Sequence, residues 1–177
     1  MNKPKKILGE ERRQLLLHVL KDSKQPITGA ELAKMTNVSR QVIVGDITLL
    51  KARNEPIIAT SQGYLYMQQQ AATAIEKIIT CSHPPEQSEE ELNILVDHGL
   101  TVKDVKIEHP VYGDLTASIM VSNRKEVQLF MENIKRTNAA FLSELTDGIH
   151  LHTIIAKNQQ EITAAENALK SAGILII

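Results

Sequence analysis

The sequence predicts an α+β protein in two parts: three helices with a short β-hairpin over residues 1–70, and a two-layer α+β domain over residues 71–177. Two patterns carry that expectation. The first seventy residues hold capped, apolar-periodic stretches around a tight turn, then two short apolar runs around a second turn. From residue 71 onward strand-like and helix-like segments interleave, as they do where helices pack on one sheet.

A first helix is expected over residues 10–22, where Leu16, Val19 and Leu20 share a face and Arg12, Arg13 and Lys21 are left for solvent. Lys24-Gln25-Pro26 breaks it. Thr28-Gly29-Ala30-Glu31 is a capping box, in which the threonine hydroxyl accepts from the third helical N–H and the glutamate reaches back. It opens a second helix through Ala30, Leu32, Ala33 and Met35. A tight turn at Thr36-Asn37 follows, and Val38 tucks between the helices. Ser39 caps a third helix in which Ile43, Ile47 and Leu50 recur at i, i+4 and i+7, and small Ala33 lets that helix cross closely. This is the layout of a helix-turn-helix.

Beside the cap Ser39, the outer face of the third helix presents Arg40, Gln41, Val44, Thr48 and Lys51. Arginine and glutamine near a helix N-terminus suit base edges and phosphates in a major groove, although each equally suits a solvated face. Gly45 costs roughly 1 kcal/mol in a helix interior, so it either admits a close approach of DNA or is simply tolerated. The apolar runs 56–59 and 64–67, joined through Thr60 to Gly63, form a hairpin or wing, and Gln68-Gln69-Gln70 reads as a polar linker.

Charge separates the two parts. Residues 1–70 carry 11 Lys/Arg against 6 Asp/Glu, a net +5, while residues 71–177 carry 9 against 15, a net −6. A basic small domain beside an acidic larger one points to a polyanion meeting only the first. With 42% hydrophobic and 23% charged residues the composition is that of a globular protein, which excludes a disordered or fibrous chain. No apolar stretch follows basic Met1 to Arg13, and Leu15-Leu16-Leu17 is too short for a signal segment or a membrane span. The single cysteine, Cys81, cannot form an internal disulfide, so a cytoplasmic location is expected.

In the second domain strands are expected over 74–80, 102–108, 115–121 and 148–155, with a turn at Tyr112-Gly113-Asp114. A helix spans 88–98, Asn123 caps another carrying Val127, Leu129, Phe130 and Ile134, and a third covers 158–172. Gly173 precedes a last apolar strand, 174–177. His150-Leu151-His152 on a strand puts both imidazoles on one face about 6–7 Å apart, with Ile149 and Leu151 turned into a core. His83 lies just past the first strand of this domain and Glu91 eight residues later in the next helix. Three imidazoles and a carboxylate suit a divalent transition metal ion, Ni, Zn, Co or Fe. The residues leave alternatives open: a solvated strand face for the His-x-His, a second capping box for Ser88 to Glu91, and Glu90 in place of Glu91 as ligand. His18, His98 and His109 are expected to be incidental, and no catalytic residue is expected, since no separate general base stands out beside four protein ligands.

The segments Gly29-Ala30-Glu31-Leu32-Ala33, Val38-Ser39-Arg40-Gln41-Val42-Ile43, Asp46-Ile47 and Leu49-Leu50 resemble the biotin-repressor-type winged helix-turn-helix. Biotin repressors continue into a ligase domain with a Gly/Arg-rich adenylate loop, and no such loop follows here. Instead Cys81-Ser82-His83, Glu108-His109-Pro110-Val111-Tyr112-Gly113 and the run from Leu145 to Thr153 resemble the three-histidine domain. That domain follows this helix-turn-helix in the nicotinate-responsive, NiaR-type repressors of NAD biosynthesis. The resemblance implies metal ligands at His83, Glu91, His150 and His152, nicotinic acid as co-repressor, operator DNA as partner, and a homodimer on a palindrome. It names no residue for the small-molecule ligand, whose carboxylate needs a cation or backbone donors such as Arg136, Lys135 or main-chain N–H groups. Gly45 departs from the longer polar residue expected there. A metal-responsive regulator, in which the divalent ion itself is the signal, is the competing expectation.

Overall fold

Helix α1 (Gly9–Asp22) turns Leu16 and Leu20 inward, and α2 (Gly29–Thr36) and α3 (Arg40–Ala52) close on them with Leu32, Ala33, Ile43, Ile47 and Leu50. The computed structural model describes residues 8–67 and 74–176, and the chain divides into two compact units on either side of residue 70. The expected linker Gln68-Gln69-Gln70 and the last residue of the expected final strand lie outside the described residues.

Local chemistry sets the helix ends as expected. Thr28 and Glu31 cap each other reciprocally, Asn37 takes the left-handed conformation at the end of α2, and Ser39 accepts from the Val42 N–H. Strands β1 (Ile57–Thr60) and β2 (Gly63–Tyr66) make the hairpin, and Ile27 adds a bridge by exchanging both backbone hydrogen bonds with Tyr64. Two expectations fail here. Arg12 is buried: its Nε lies 2.5 Å from Asp46 Oδ2, with Arg13 Nη1 3.2 Å from the other oxygen. Met35, placed on the apolar face of α2, is 54% exposed.

The second unit is one four-stranded antiparallel sheet in the order β3-β6-β4-β5, with β3 Ile75–Ser82, β4 Thr101–His109, β5 Gly113–Val121 and β6 Ile149–Ala156. Helices α4 (Ser88–Asp97), α5 (Arg124–Thr137) and α6 (Gln159–Ser171) pack on the sheet to form the core, which includes Leu95, Val127, Leu169, Ile79 and Ile154. This is the expected two-layer arrangement, with three corrections. The final apolar segment is no strand of its own; Leu175 bridges Cys81, the Ile174 carbonyl accepts from the Ser82 N–H, and the Ile176 N–H donates to the Thr80 carbonyl. Leu129 faces solvent, and Met131 takes the core position. The faces of β6 are reversed: Ile149 is 53% exposed and Leu151 half-buried, whereas His150 and His152 lie under the helices.

Candidate metal centre and recognition helix

The reversal creates the site. Along β6, His150, His152, Ile154 and Ala156 share the helix-covered face, and the register pairs His150 with Cys81 and His152 with Ile79 on β3. His83 follows the end of β3, where its N–H reaches the Gly148 carbonyl at the start of β6 (3.4 Å). Gly148 has φ +90°, and an added Cβ would stand 2.4 Å from the His83 carbonyl oxygen, so only glycine lets the two segments meet. Ser88 begins α4 after a 3-10 turn (Pro85–Gln87) and its side chain caps nothing. The expected second capping box is therefore absent, and Glu91 turns into the interior while Glu90 stays exposed.

Glu91 is the hub. Its Oε2 lies 2.8 Å from His83 Nε2 and 3.2 Å from both His150 Nε2 and His152 Nε2, and all four residues are at most 5% exposed. The ring centroids of His83 and His152 are each 4.9 Å from that of His150, at near-right angles. Each Nδ1 faces a backbone carbonyl: Pro84 for His83 (2.9 Å), Gly148 for His150 (2.8 Å) and Asp104 for His152 (2.7 Å). A carbonyl only accepts, so every Nδ1 carries a proton and every Nε2 points its remaining valence at one spot. Carbonyls hold metal-binding histidines in the same tautomer. The Asp104 carbonyl is available because register shifts between Val102 and Asp104 break the β4 ladder there, and Asp104 Oδ1 accepts instead from Thr153 N–H.

Electrostatics follow from this crowding. Burial opposes charge on His83 and His152, but the bonds and charge of Glu91 outweigh it and hold both imidazoles above their ordinary range. Burial likewise opposes charge on Glu91, yet the three imidazoles keep its carboxyl well below the carboxylate range. Without an ion the carboxylate needs imidazolium protons around it; a divalent ion can take their place. His83, Glu91 and His150 offer ligand atoms all within 4.8 Å of one another, and His152 joins through Glu91. The donor set of imidazoles and one carboxylate fits a first-row divalent ion. Cys81, assigned no place in the site from the sequence, is fully buried beside this cluster, and burial and then the Glu91 charge push its thiol up, so it is neutral.

A cavity of about 230 Å3 opens on the cluster. Glu91, His150 and His152 form one side, and Val105, Ile119, Phe130, Ile134, Phe141 and Leu142 make apolar walls. Neither Arg136 nor Lys135 lines it; Arg136 bonds Asn133 and both are exposed. The other histidines have local duties: His98 bonds the Ile94 carbonyl, His109 accepts from Val111 and Tyr112 N–H in the hairpin turn, and His18 is an exposed partner of Asp22.

In the first unit Ser39, Arg40, Gln41, Val44, Thr48 and Lys51 are all exposed on the outer side of α3. Arg40 rests its stem near Gly29. The helix has a single acid, Asp46, and it is turned inward onto Arg12 and Arg13, so the outer face carries cations and no carboxylate. Among the described residues an added Cβ at Gly45 would meet nothing within 4 Å, so no contact with them calls for glycine there.

Family models match both units, a helix-turn-helix domain over residues 12–65 and a 3H domain over residues 76–177. The chain is 61% identical to the transcription repressor NadR of Bacillus subtilis over 178 positions, covering 99% of each chain. It is 36% identical to a protein of Thermotoga maritima named "Probable transcription repressor NiaR", covering 97% of each. Both relatives are named as regulators, not enzymes. No helix among the described residues is long and apolar enough to cross a membrane.

Proposed function

Because this chain belongs to the NadR/NiaR family of transcription repressors, a DNA-binding helix-turn-helix joined to a 3H domain, we propose that it represses genes of NAD biosynthesis or niacin uptake with nicotinic acid as co-repressor. A divalent transition metal ion at His83, Glu91, His150 and His152 supplies a Lewis-acidic position for the pyridine nitrogen. The observation that carries this reading is the shared orientation of the three imidazoles, each Nδ1 tied to a carbonyl and each Nε2 turned to Glu91. The apolar cavity beside them supports an organic co-repressor over the ion as sole signal. At about 230 Å3 it is smaller than the pockets that take drug-sized molecules, roughly 300–1,000 Å3, and suits one substituted ring.

The chain's own residues divide the work. The carbonyls of Pro84, Gly148 and Asp104 fix the imidazoles, Glu91 supplies the negative ligand, and the walls exclude water from the ring. Ligand binding then sets the spacing of two recognition helices in a homodimer, so that Arg40, Gln41, Val44, Thr48 and Lys51 with the cap Ser39 engage two half-sites of a palindrome together.

A gel-shift series tests the proposal, using operator DNA with and without nicotinate and with and without chelator. Nicotinate is expected to tighten operator binding only when metal is present. Full operator binding with metal alone would make the ion the signal, and no response to either would refute both readings.

A further inference from the structure

We infer that Ser88 and Ser143 are the polar anchors of the co-repressor cavity, holding the ring carboxylate of a small heteroaromatic acid through their hydroxyls; this rests on the cavity being the ligand site. Both serines line the cavity and both are only 5% exposed. Among the described residues neither hydroxyl has a hydrogen-bond partner in the protein, and no side-chain oxygen sealed from solvent goes unpaired. Their hydroxyls therefore reach accessible space, and the space these residues line is the cavity. Two unpartnered hydroxyls in an otherwise apolar wall leave the ligand to supply their partner.

The placement matches a planar acid. Ser88 stands one turn before Glu91 on the same face of α4, so it enters the cavity from the helix that also brings the carboxylate. Ser143 enters on a 3-10 turn (Leu142–Thr146) whose own carbonyl accepts from the Gly148 N–H (2.9 Å), two residues before His150. Phe130 and Phe141, with centroids 6.4 Å apart, line the same cavity as aromatic walls. Among the described residues no Lys or Arg lines the cavity, so the balancing charge would come from a divalent ion held at the centre, whose two positive charges exceed the one carboxylate. The hydroxyls add geometry: each donates one hydrogen bond, one to each carboxylate oxygen.

Ser88→Ala and Ser143→Ala test this by calorimetry on the metal-loaded protein, with nicotinate and with 3-methylpyridine, which keeps the ring nitrogen and lacks the acid. Each variant is expected to bind nicotinate about ten- to a hundredfold more weakly, the usual worth of a hydrogen bond to a charged group. The ratio of nicotinate to 3-methylpyridine affinity should fall by that factor, while metal affinity stays at the wild-type value and shows the fold intact. Unchanged nicotinate affinity in both variants, or an equal loss for 3-methylpyridine, overturns the anchors alone. Wild-type protein that binds metal but no nicotinate would overturn the ligand reading itself.

Discussion

Replacing Gly148 with alanine should damage the 3H domain far more than the same change at Gly113, and the difference isolates the approach of β6 to His83. Both glycines have positive φ, +90° and +70°, so either alanine carries the left-handed penalty of about 1–2 kcal/mol. At Gly113 nothing among the described residues lies within 4 Å of the new Cβ, and the cost stops there. At Gly148 the Cβ lands 2.4 Å from the His83 carbonyl oxygen, which is backbone and bound into the start of the site by its neighbouring N–H. Relief requires the two segments to part, with the loss of that hydrogen bond and of local packing, and a total near 3–5 kcal/mol is expected, typical of a severe core lesion. Parting also carries His83 away from His150, so metal affinity should drop for Gly148→Ala and stay unchanged for Gly113→Ala. Chemical denaturation followed by circular dichroism, with a parallel zinc titration, measures both effects. If the two variants lose equal stability and bind zinc equally, the close approach has no role in building the centre.

Asp46→Ala takes the facing carboxylate away from the buried Arg12 guanidinium and should destabilise the first unit by about 3–5 kcal/mol, while Arg12→Met with Asp46→Leu should recover most of it; urea titration of the two variants decides. Gly45→Ala should raise the stability of α3 by about 1 kcal/mol and still weaken operator binding in a fluorescence-anisotropy titration; unchanged affinity would show that DNA does not approach there. In metal-free protein the raised His83 and His152 contribute stability that is complete below their unfolded value and is lost as pH rises through the folded one. The lowered Glu91 contributes above its unfolded value and is lost on acidification. The melting temperature should therefore peak between about pH 4.5 and 6.5 and decline on the alkaline side, and zinc should abolish that decline. A flat metal-free profile from pH 6 to 9 contradicts the imidazolium account.

What the sequence made legible was local. The Thr28–Glu31 box, the Ser39 and Asn123 caps and the Asn37 turn involve neighbours within four residues, and the structure repeats them. Arg12 looked like a surface residue because its partner, Asp46, is 34 positions away. The alternation His150-Leu151-His152 showed that both imidazoles share a face, yet a strand's period does not say which face the helices cover. Glu90 and Glu91 are likewise indistinguishable by spacing from His83; the turn of α4 after Gln87 aims one inward and leaves the other in solvent. Ser143 lies in an irregular segment with no period to read, and Ser88 was masked by its likeness to a cap.

X-ray absorption at the metal edge of the zinc-loaded protein tests the centre most directly. Imidazole and carboxylate ligation at His83, Glu91, His150 and His152 predicts a first shell of nitrogen and oxygen at about 2.0–2.2 Å, with the multiple scattering of roughly three imidazole rings. A thiolate sulfur shell near 2.3 Å, for which Cys81 is the chain's single thiol, or a spectrum without imidazole scattering would contradict it.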